Sequence, residues 1–277
     1  MTTSTSRVLV LAGTGKTGSR LTAKLTGHGL AVHTAARRGA DVRFDWQDPA
    51  TYGPALSGIG RVYLVTPFLG DTGFTDRVRS FLDLAAANGT SHVTFLSAYG
   101  MDQAPPQVAL RAVELDLMGR GDFTHSILRP AWFMQNFSEG HLMPVGGLIT
   151  VPTGNGTESF VDAGDVAAVA AATLADPDAH AGVRYALTGA EAMTVSDAAE
   201  VITAVTGQSV KHNDIDRETW IQASVSAGVP ADYADMLRLL TETIASGRGA
   251  RPTGDVESVT GAPPTSFADF VRRSARH

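Results

Sequence analysis

The chain has no cysteine, which excludes a disulfide framework and thiolate chemistry and points to a cytoplasmic setting. Lysine is almost as scarce, with Lys16, Lys24 and Lys211 alone among many arginines, so mechanisms that need a lysine have few places to find one. No apolar run approaches the about 20 residues that span a bilayer, and the polar Met1–Ser6 stretch lacks the apolar core of a signal peptide. Excess positive charge is also missing. A formal net charge of -6 disfavours nucleic acid and anionic membrane surfaces as partners and leaves a small molecule as the expected one. What remains is 277 residues, 43% hydrophobic, enough for a large α/β domain or a cofactor domain with a smaller lobe.

The most informative segment is Arg7-Val-Leu-Val-Leu-Ala-Gly-Thr-Gly-Lys-Thr-Gly18, an apolar strand running into Gly13-x-Gly15-x-x-Gly18 and then a helical pattern. A dinucleotide site requires this context: the first glycine permits the tight turn, the second lets backbone approach a pyrophosphate, and the third lets helix pack on strand. A helix beginning near Thr14 would aim unpaired N–H groups at that anion. Gly13, Thr14, Gly15, Lys16, Thr17 and Gly18 are therefore candidate cofactor-binding residues. A phosphate-binding loop of the NTPase kind is excluded, because it needs four residues between its glycines and a Lys-Ser/Thr after the second.

Up to about Pro130, short apolar runs alternate with helical patterns, the signature of a parallel sheet covered on both faces. Strands are expected at Val8–Leu11, Val32–Ala36, Val42–Phe44, Val62–Val65, Val93–Leu96 and Ser126–Leu128. Gly27, Gly89 and Gly119 are expected to stop helices. Further on, Asp165–Leu174 reads as a helix capped by Gly164 or Asp165, Tyr185–Leu187 as a short strand, and Thr194 as a helix start. Arg217–Ala227, Ala231–Ser246 and Ser266–Ala275 read as helices. The expected architecture is α/β, a Rossmann-type doubly wound parallel sheet (residues 1–150) with a small, mostly helical C-terminal lobe (residues 151–277). Segments of the lobe are free to return to the sheet, and the substrate cleft is expected outside the carboxyl ends of the strands.

The end of the second strand selects the dinucleotide. An NAD site usually places Asp or Glu there, whereas this chain has Ala35-Ala36-Arg37-Arg38, and two guanidinium groups suit a 2′-phosphate. NADP is the expected cofactor, with NAD left open because arginine also stacks on adenine. Asp45 is a candidate for the adenine amino group or a turn-forming aspartate. In Val93-Thr-Phe-Leu-Ser97-Ala-Tyr99-Gly, Ser97 and Tyr99 emerge at the carboxyl end of a central strand. Their candidate roles are orienting a carbonyl and donating a proton, against satisfying backbone groups and walling a pocket. No residue pattern calls for a metal.

Taken together, the glycine loop, Phe44-Asp45-Trp46, Leu96-Ser-Ala-Tyr-Gly100, Leu128-Arg-Pro-Ala-Trp-Phe-Met-Gln-Asn136 and Phe160-Val-Asp162-x-x-Asp165-Val-Ala resemble the NmrA-like group of atypical short-chain dehydrogenases. The tail Val259-Thr-Gly-Ala-Pro-Pro-Thr-Ser-Phe-Ala-Asp-Phe270 is similar to that of its bacterial and ergot-alkaloid reductase-type branch. The resemblance implies NAD(P) in the cleft, with Trp46 among the cofactor-binding residues and Thr66, Pro67, Phe68, Ser97 and Ala98 lining the nicotinamide half. It also implies that the Trp132–Phe137 stretch, with Phe133 and Asn136, borders cofactor and substrate. A homodimer is compatible with it.

One departure matters. Typical short-chain dehydrogenases place a lysine four residues after the tyrosine, where it lowers the phenol pKa; here none follows Tyr99 before Lys211. In the NmrA-like pattern a lysine precedes the glutamate of the next helix, whereas here Arg111 precedes Glu114, and arginine shuttles no proton. Chemistry that needs little acid assistance is therefore expected: hydride transfer to a quinone, enone or iminium, against a wall of Phe68, Tyr99, Trp132, Phe133, Phe137 and Phe160. Reaction of a reduced quinone with oxygen would extend this to oxygenation in secondary metabolism. The alternative is a non-catalytic dinucleotide-binding redox sensor acting through protein partners; an isomerase or epimerase is a third reading.

Overall fold

The computed structural model describes residues 7–67 and 73–276. In chain order the elements are β1 (Arg7–Leu11), α1 (Lys16–Gly27), β2 (Val32–Ala36), β3 (Val42–Arg43), α2 (Tyr52–Leu56), β4 (Ile59–Leu64), α3 (Phe74–Ala87), β5 (His92–Leu96), α4 (Ala109–Gly119) and β6 (Thr124–Pro130). These are followed by α5 (Asn136–Glu139), β7 (Leu148–Thr150), α6 (Ala163–Ala175), α7 (Pro177–His180), β8 (Arg184–Leu187), α8 (Val195–Thr206), β9 (Lys211–Asn213), α9 (Arg217–Ser226), α10 (Ala231–Ala245), α11 (Asp255–Thr260) and α12 (Phe267–Ser274). No helix among the described residues is long and apolar enough to cross a membrane.

Two compact units result, each discontinuous in sequence: Met1–Pro130 with Ala163–Ala186, and Ala131–Asp162 with Leu187–His277. In the first, a seven-stranded sheet runs β3-β2-β1-β4-β5-β6-β8. Its strands are parallel, including β8, since the bonds Ile127 N to Val183 O and Ala131 N to Leu187 O advance together along both chains. The order 3-2-1-4-5-6 is that of the Rossmann fold.

Side-chain alternation along the strands explains the two covered faces. Leu9, Leu11, Val62, Leu64, Val93 and Phe95 share one core with residues of α2, α3 and α4, including Leu56, Phe81, Leu82 and Leu117. The alternate residues face α1 and α6: the buried Tyr63 hydroxyl donates to Thr17 of α1 at 3.1 Å, and Thr94 meets Thr173 of α6 at 2.9 Å. In the second unit Phe137, Phe160 and Phe267 form an edge-to-face group within a core built largely from α8, α9, α10 and α12. Two-stranded β7–β9 pairs Ile149 with His212 beside it.

Several local expectations are corrected. Helix α1 starts at Lys16, with Gly15 as its N-cap, two residues later than Thr14. Its left-handed terminator is Gly29, φ +75°, rather than Gly27; Gly89, φ +83°, does end α3, whereas Gly119 is simply the last helical residue of α4. Helix α6 opens at Ala163, so Gly164 and Asp165 lie in its first turn and not at its cap.

Candidate functional site

Parallel strands bring all their carboxyl ends to one edge of the sheet, and there the first unit holds a cavity of about 990 Å³. Its lining follows the strand order: Ala12, Thr14 and Gly15 after β1, Ala35 to Arg38 at β2, Arg43 to Gln47 at β3, and Val65 to Pro67 after β4. Among the residues expected from sequence, Thr14, Gly15, Arg37, Arg38, Asp45, Trp46, Thr66 and Pro67 line it, while Gly13, Lys16, Thr17, Gly18, Ser97 and Ala98 do not. Phe68 lies outside the described residues. Ala12, Arg43, Phe44, Gln47 and Val65 were not expected, although a strict reading of strand ends in parallel register would have found them.

The glycine loop is built by contact as much as by conformation. Its left-handed residue is Ala12, φ +51°, so the first glycine is not what makes the turn. Gly13 is needed because a Cβ there would lie 2.7 Å from Thr34 Cβ on β2. Gly18 is needed because its Cβ would lie 2.2 Å from the Ala12 carbonyl oxygen, which lets α1 close onto the loop. At Gly15 the nearest atom to an added Cβ is the Ala12 oxygen at 3.1 Å. With Gly15 as N-cap, α1 has no side-chain cap, and the orphan N–H groups of its first turn suit an anion. Thr17 is committed to accepting from Tyr63.

Across the cavity, Arg37 and Arg38 are exposed, and neither makes a side-chain hydrogen bond or ion pair among the described residues. Arg43, by contrast, contacts Asp48 at 3.1 Å and Asp45 at 3.9 Å. Asp45 accepts the Gln47 N–H at 3.0 Å and so also closes a turn. The wall behind is rigid: Trp46 Nε1 donates to the Val65 carbonyl at 3.2 Å, Tyr52 donates to the Trp46 carbonyl at 2.8 Å, and Phe44 stacks on Tyr52. Two partnerless guanidinium groups, an uncapped helix start and a side-chain-free Gly15 together fit a phosphorylated dinucleotide.

One strand further along the same edge, Ser97 follows β5, and its N–H bonds the Leu128 carbonyl while Tyr99 N–H bonds that of Pro130. Ser97 is only 6% exposed, and its hydroxyl donates to Glu114 Oε1 at 2.7 Å. Arg129 grips both oxygens of that carboxylate, Nε to Oε1 at 2.9 Å and Nη2 to Oε2 at 2.8 Å, and Arg111 adds Nη1 to Oε2 at 2.8 Å. Burial pushes the Glu114 carboxyl up, but the bonds from Arg129, Ser97 and Arg111 outweigh it and hold the group below its ordinary range. Sequence reading noted Arg111 and Glu114 but missed Arg129, which lies on the neighbouring strand.

In the second unit, Phe137 and Phe160 are buried core rings and Trp132 packs against that core. Phe133 bridges to Val161, and Asn136 opens α5. Glu158, unremarked in the sequence, is buried there without an ion pair among the described residues; burial pushes its carboxyl up to about 7 against backbone bonds from Ala250, Trp132 and Ser159.

A doubly wound sheet in this strand order with a glycine loop after β1 defines a protein of the Rossmann dinucleotide-binding fold. No family model matches the chain. Among curated proteins it is 34% identical to the uncharacterized oxidoreductase YesF of Bacillus subtilis (strain 168), covering 98% of this chain and 96% of that protein. It is 30% identical to the agroclavine dehydrogenase of Claviceps fusiformis, over 95% and 96%, and 29% identical to the NAD(P)H azoreductase of Xenophilus azovorans, over 97% and 98%. Its fold matches the solved Citrobacter sp. triphenylmethane reductase with TM-score 0.82 at 19% identity, covering 98% and 100% of the two chains. It also matches NmrA, a negative transcriptional regulator solved with NAD, with TM-score 0.77 at 14% identity, covering 96% and 94%. The chain belongs to the NmrA-like, atypical short-chain dehydrogenase/reductase family of oxidoreductases.

Proposed function

We propose that the protein is an NADP(H)-dependent reductase delivering hydride to an electrophilic, conjugated small molecule such as a quinone, enone or iminium. The observation that carries this reading is the cavity along the carboxyl edge of β1 to β4, with Arg37 and Arg38 partnerless among its lining residues. In this reading the first turn of α1 with Thr14 and Gly15 holds the pyrophosphate, and Arg37 and Arg38 hold the 2′-phosphate. Asp45 and Trp46 border the adenine, while Thr66 and Pro67 lead toward the nicotinamide. The bound cofactor supplies the hydride. The chain's own part is to bind and orient, because no lysine follows Tyr99 before Lys211 to assist a proton donor.

The names azoreductase and triphenylmethane reductase support a conjugated acceptor of this kind. Where the acceptor is a quinone, reaction of the hydroquinone product with dioxygen, one oxygen atom bonding to a ring carbon and the other leaving as water, extends the outcome to a hydroxylated quinone. The test is to follow NADPH absorbance across a panel of quinones, enones, iminium ions and azo dyes alongside dinucleotide affinity by calorimetry. Turnover with conjugated acceptors but not simple ketones is expected. Tight binding with no oxidation of NADPH by any acceptor would replace this reading with a dinucleotide sensor, the role for which the fold likeness to NmrA speaks.

A further inference from the structure

We propose that a small pocket in the second unit receives an N-methyl group of a cationic acceptor, with Glu191 as its counter-charge, so that among conjugated acceptors the protein prefers N-methylated cations such as iminium ions. This deepens the reductase reading and rests on it. The pocket, about 10 Å³, lies between Met134, Phe160, Met193 and Phe267, each at most 5% exposed, with Glu191 and Ser266 as its polar lining. Neighbouring strands feed it from their carboxyl ends: Met134 follows β6 by four residues and Glu191 follows β8 by four. Gly189 lets the second of these segments press in, because a Cβ there would lie 2.1 Å from the Phe160 carbonyl oxygen.

A space of this size has room for one water or one methyl group, and a buried water needs two to four polar partners. Ser266 is already engaged twice, donating to Asp269 Oδ2 at 2.7 Å and accepting the Asp269 N–H at 3.1 Å as the cap of α12. The pocket therefore suits the methyl group. Glu191 is exposed and makes no hydrogen bond or ion pair among the described residues, and Ser266 with Asp269 already answers the positive start of α12. Its charge is left for a ligand. Aromatic rings, polarizable sulfur and a carboxylate around a methyl-sized space are the groups that recognise a methylated cationic nitrogen, whereas a neutral acceptor gains the apolar contact alone. The charge of the whole unit points the same way. The second unit contains 15 Asp and Glu against 8 Lys and Arg, and the first 13 against 14, together the chain's 28 and 22. The negative charge belongs to the unit that has the pocket, and bound NADPH would add to it, a field that draws a cation and repels an anion.

The test uses the intact protein with ¹³C-labelled methionine methyls, titrated with choline and with its neutral isostere 3,3-dimethylbutanol. Choline should shift the Met134 and Met193 methyl resonances and bind about four- to twentyfold more tightly than the isostere, the combined worth of a solvent-exposed ion pair and a cation–π contact. That advantage should shrink at high salt. Glu191→Gln should cut the affinity ratio about two- to fivefold. Ala190→Leu, which fills the pocket from an exposed lining position, should weaken both probes. In turnover, the ratio of kcat/KM for an N-methyl iminium ion to that for a neutral quinone should fall in Glu191→Gln by the same factor. Equal affinity for the two probes would overturn the cation preference. Unmoved Met134 and Met193 methyls, or probes that bind Ala190→Leu unimpaired, would overturn the pocket. A turnover ratio unchanged in Glu191→Gln would overturn its use by the acceptor. Failure of every conjugated acceptor to oxidise NADPH would instead overturn the reductase reading and the acceptor assignment with it, while the choline titration, which needs no NADPH, decides the pocket separately.

Discussion

Ser97 Oγ donates to Glu114 Oε1 at 2.7 Å, the one neutral donor among the described residues on a carboxylate otherwise held by two guanidinium groups. The two ends of this bond are energetically unequal. Removing the carboxylate leaves Arg111 and Arg129, both only partly exposed, without their main counter-charge, and breaking such a buried set costs about 3–5 kcal/mol. Removing the hydroxyl costs about 1 kcal/mol, because the arginines still satisfy Glu114. The cluster is therefore a fixed strut tying α4 to the ends of β5 and β6, and the serine is its adjustable face.

The glycine loop separates packing from binding. In Gly18→Ala the new Cβ meets the Ala12 carbonyl at 2.2 Å, a backbone atom that moves only if the loop moves. Overpacking of this kind costs about 1–3 kcal/mol, so the midpoint of urea unfolding should fall. Gly15→Val, whose Cβ lies 3.1 Å from the same carbonyl, should lower that midpoint less than Gly18→Ala does and abolish dinucleotide binding by calorimetry. Unimpaired binding in Gly15→Val would remove the loop from the site.

Arg37 and Arg38 lack side-chain partners among the described residues, so their replacement disturbs no visible contact. The double variant Arg37→Ala, Arg38→Ala should keep its stability and its affinity for NAD. Its affinity for NADP should weaken by at least about 1.5–3 kcal/mol, the worth of a hydrogen bond to a charged group. Equal affinity of the unmodified protein for NAD and NADP would show that the arginines do not select the cofactor.

The pH dependence of stability contains two opposing contributions, one in each unit. His92 bonds Thr124 at 2.8 Å, and burial together with the charges of His125, Arg61 and His180 pushes it from 6.5 down to about 4. Between those values the unfolded chain binds the extra proton, so this group makes stability fall as pH drops from 6.5 toward 4. Glu158 is raised from 4.5 to about 7, the folded chain binds the extra proton, and stability falls as pH rises through that window. Each contribution is on the order of 3 kcal/mol, and they nearly cancel between 4.5 and 6.5. Urea unfolding of His92→Asn should therefore lose stability with rising pH, and Glu158→Gln with falling pH. Trp46 reports on the first unit, and Trp132 and Trp220 on the second. Variants whose pH profiles parallel that of the unmodified protein would refute the assignment.

Much of the sheet could be read in advance because parallel strands buried on both faces are continuous apolar runs: Val32–Ala36 and His92–Leu96 lie within a residue of expectation. Strand β4 opens earlier than expected, at Ile59, because Gly60, which looks like a breaker, is skipped at a register shift against β1 while its carbonyl accepts the Ser91 N–H at 2.8 Å. Strands β7 and β9 have three residues each, and Lys211-His212-Asn213 carries no strand signal of its own; pairing with Leu148–Thr150 creates it. Helix α11 was missed for the same want of length. The return of Ala163–Ala186 to the first unit is a tertiary fact that local periodicity does not encode. At the site, motif residues pointed to the cavity, whereas the Arg129 grip on Glu114 depends on which strand neighbours which.

Tyr99 follows β5 by three residues and lies on the same sheet edge. A phenol acting as proton donor in the transition state is worth roughly 10²–10⁴-fold in turnover. In this chain no lysine occurs between Tyr99 and Lys211, and the cation of the following helix, Arg111, is engaged by Glu114 at 2.8 Å. With an acceptor that already takes hydride readily, orientation should dominate the rate. Tyr99→Phe should then lower kcat less than about tenfold and leave NADPH affinity unchanged, a loss below the range for acid catalysis. The comparison to make is kcat for a quinone and for a simple ketone in the same variant. A fall of about a thousandfold with intact cofactor binding would make Tyr99 the acid after all, and a conventional carbonyl reductase would replace the electrophile reading.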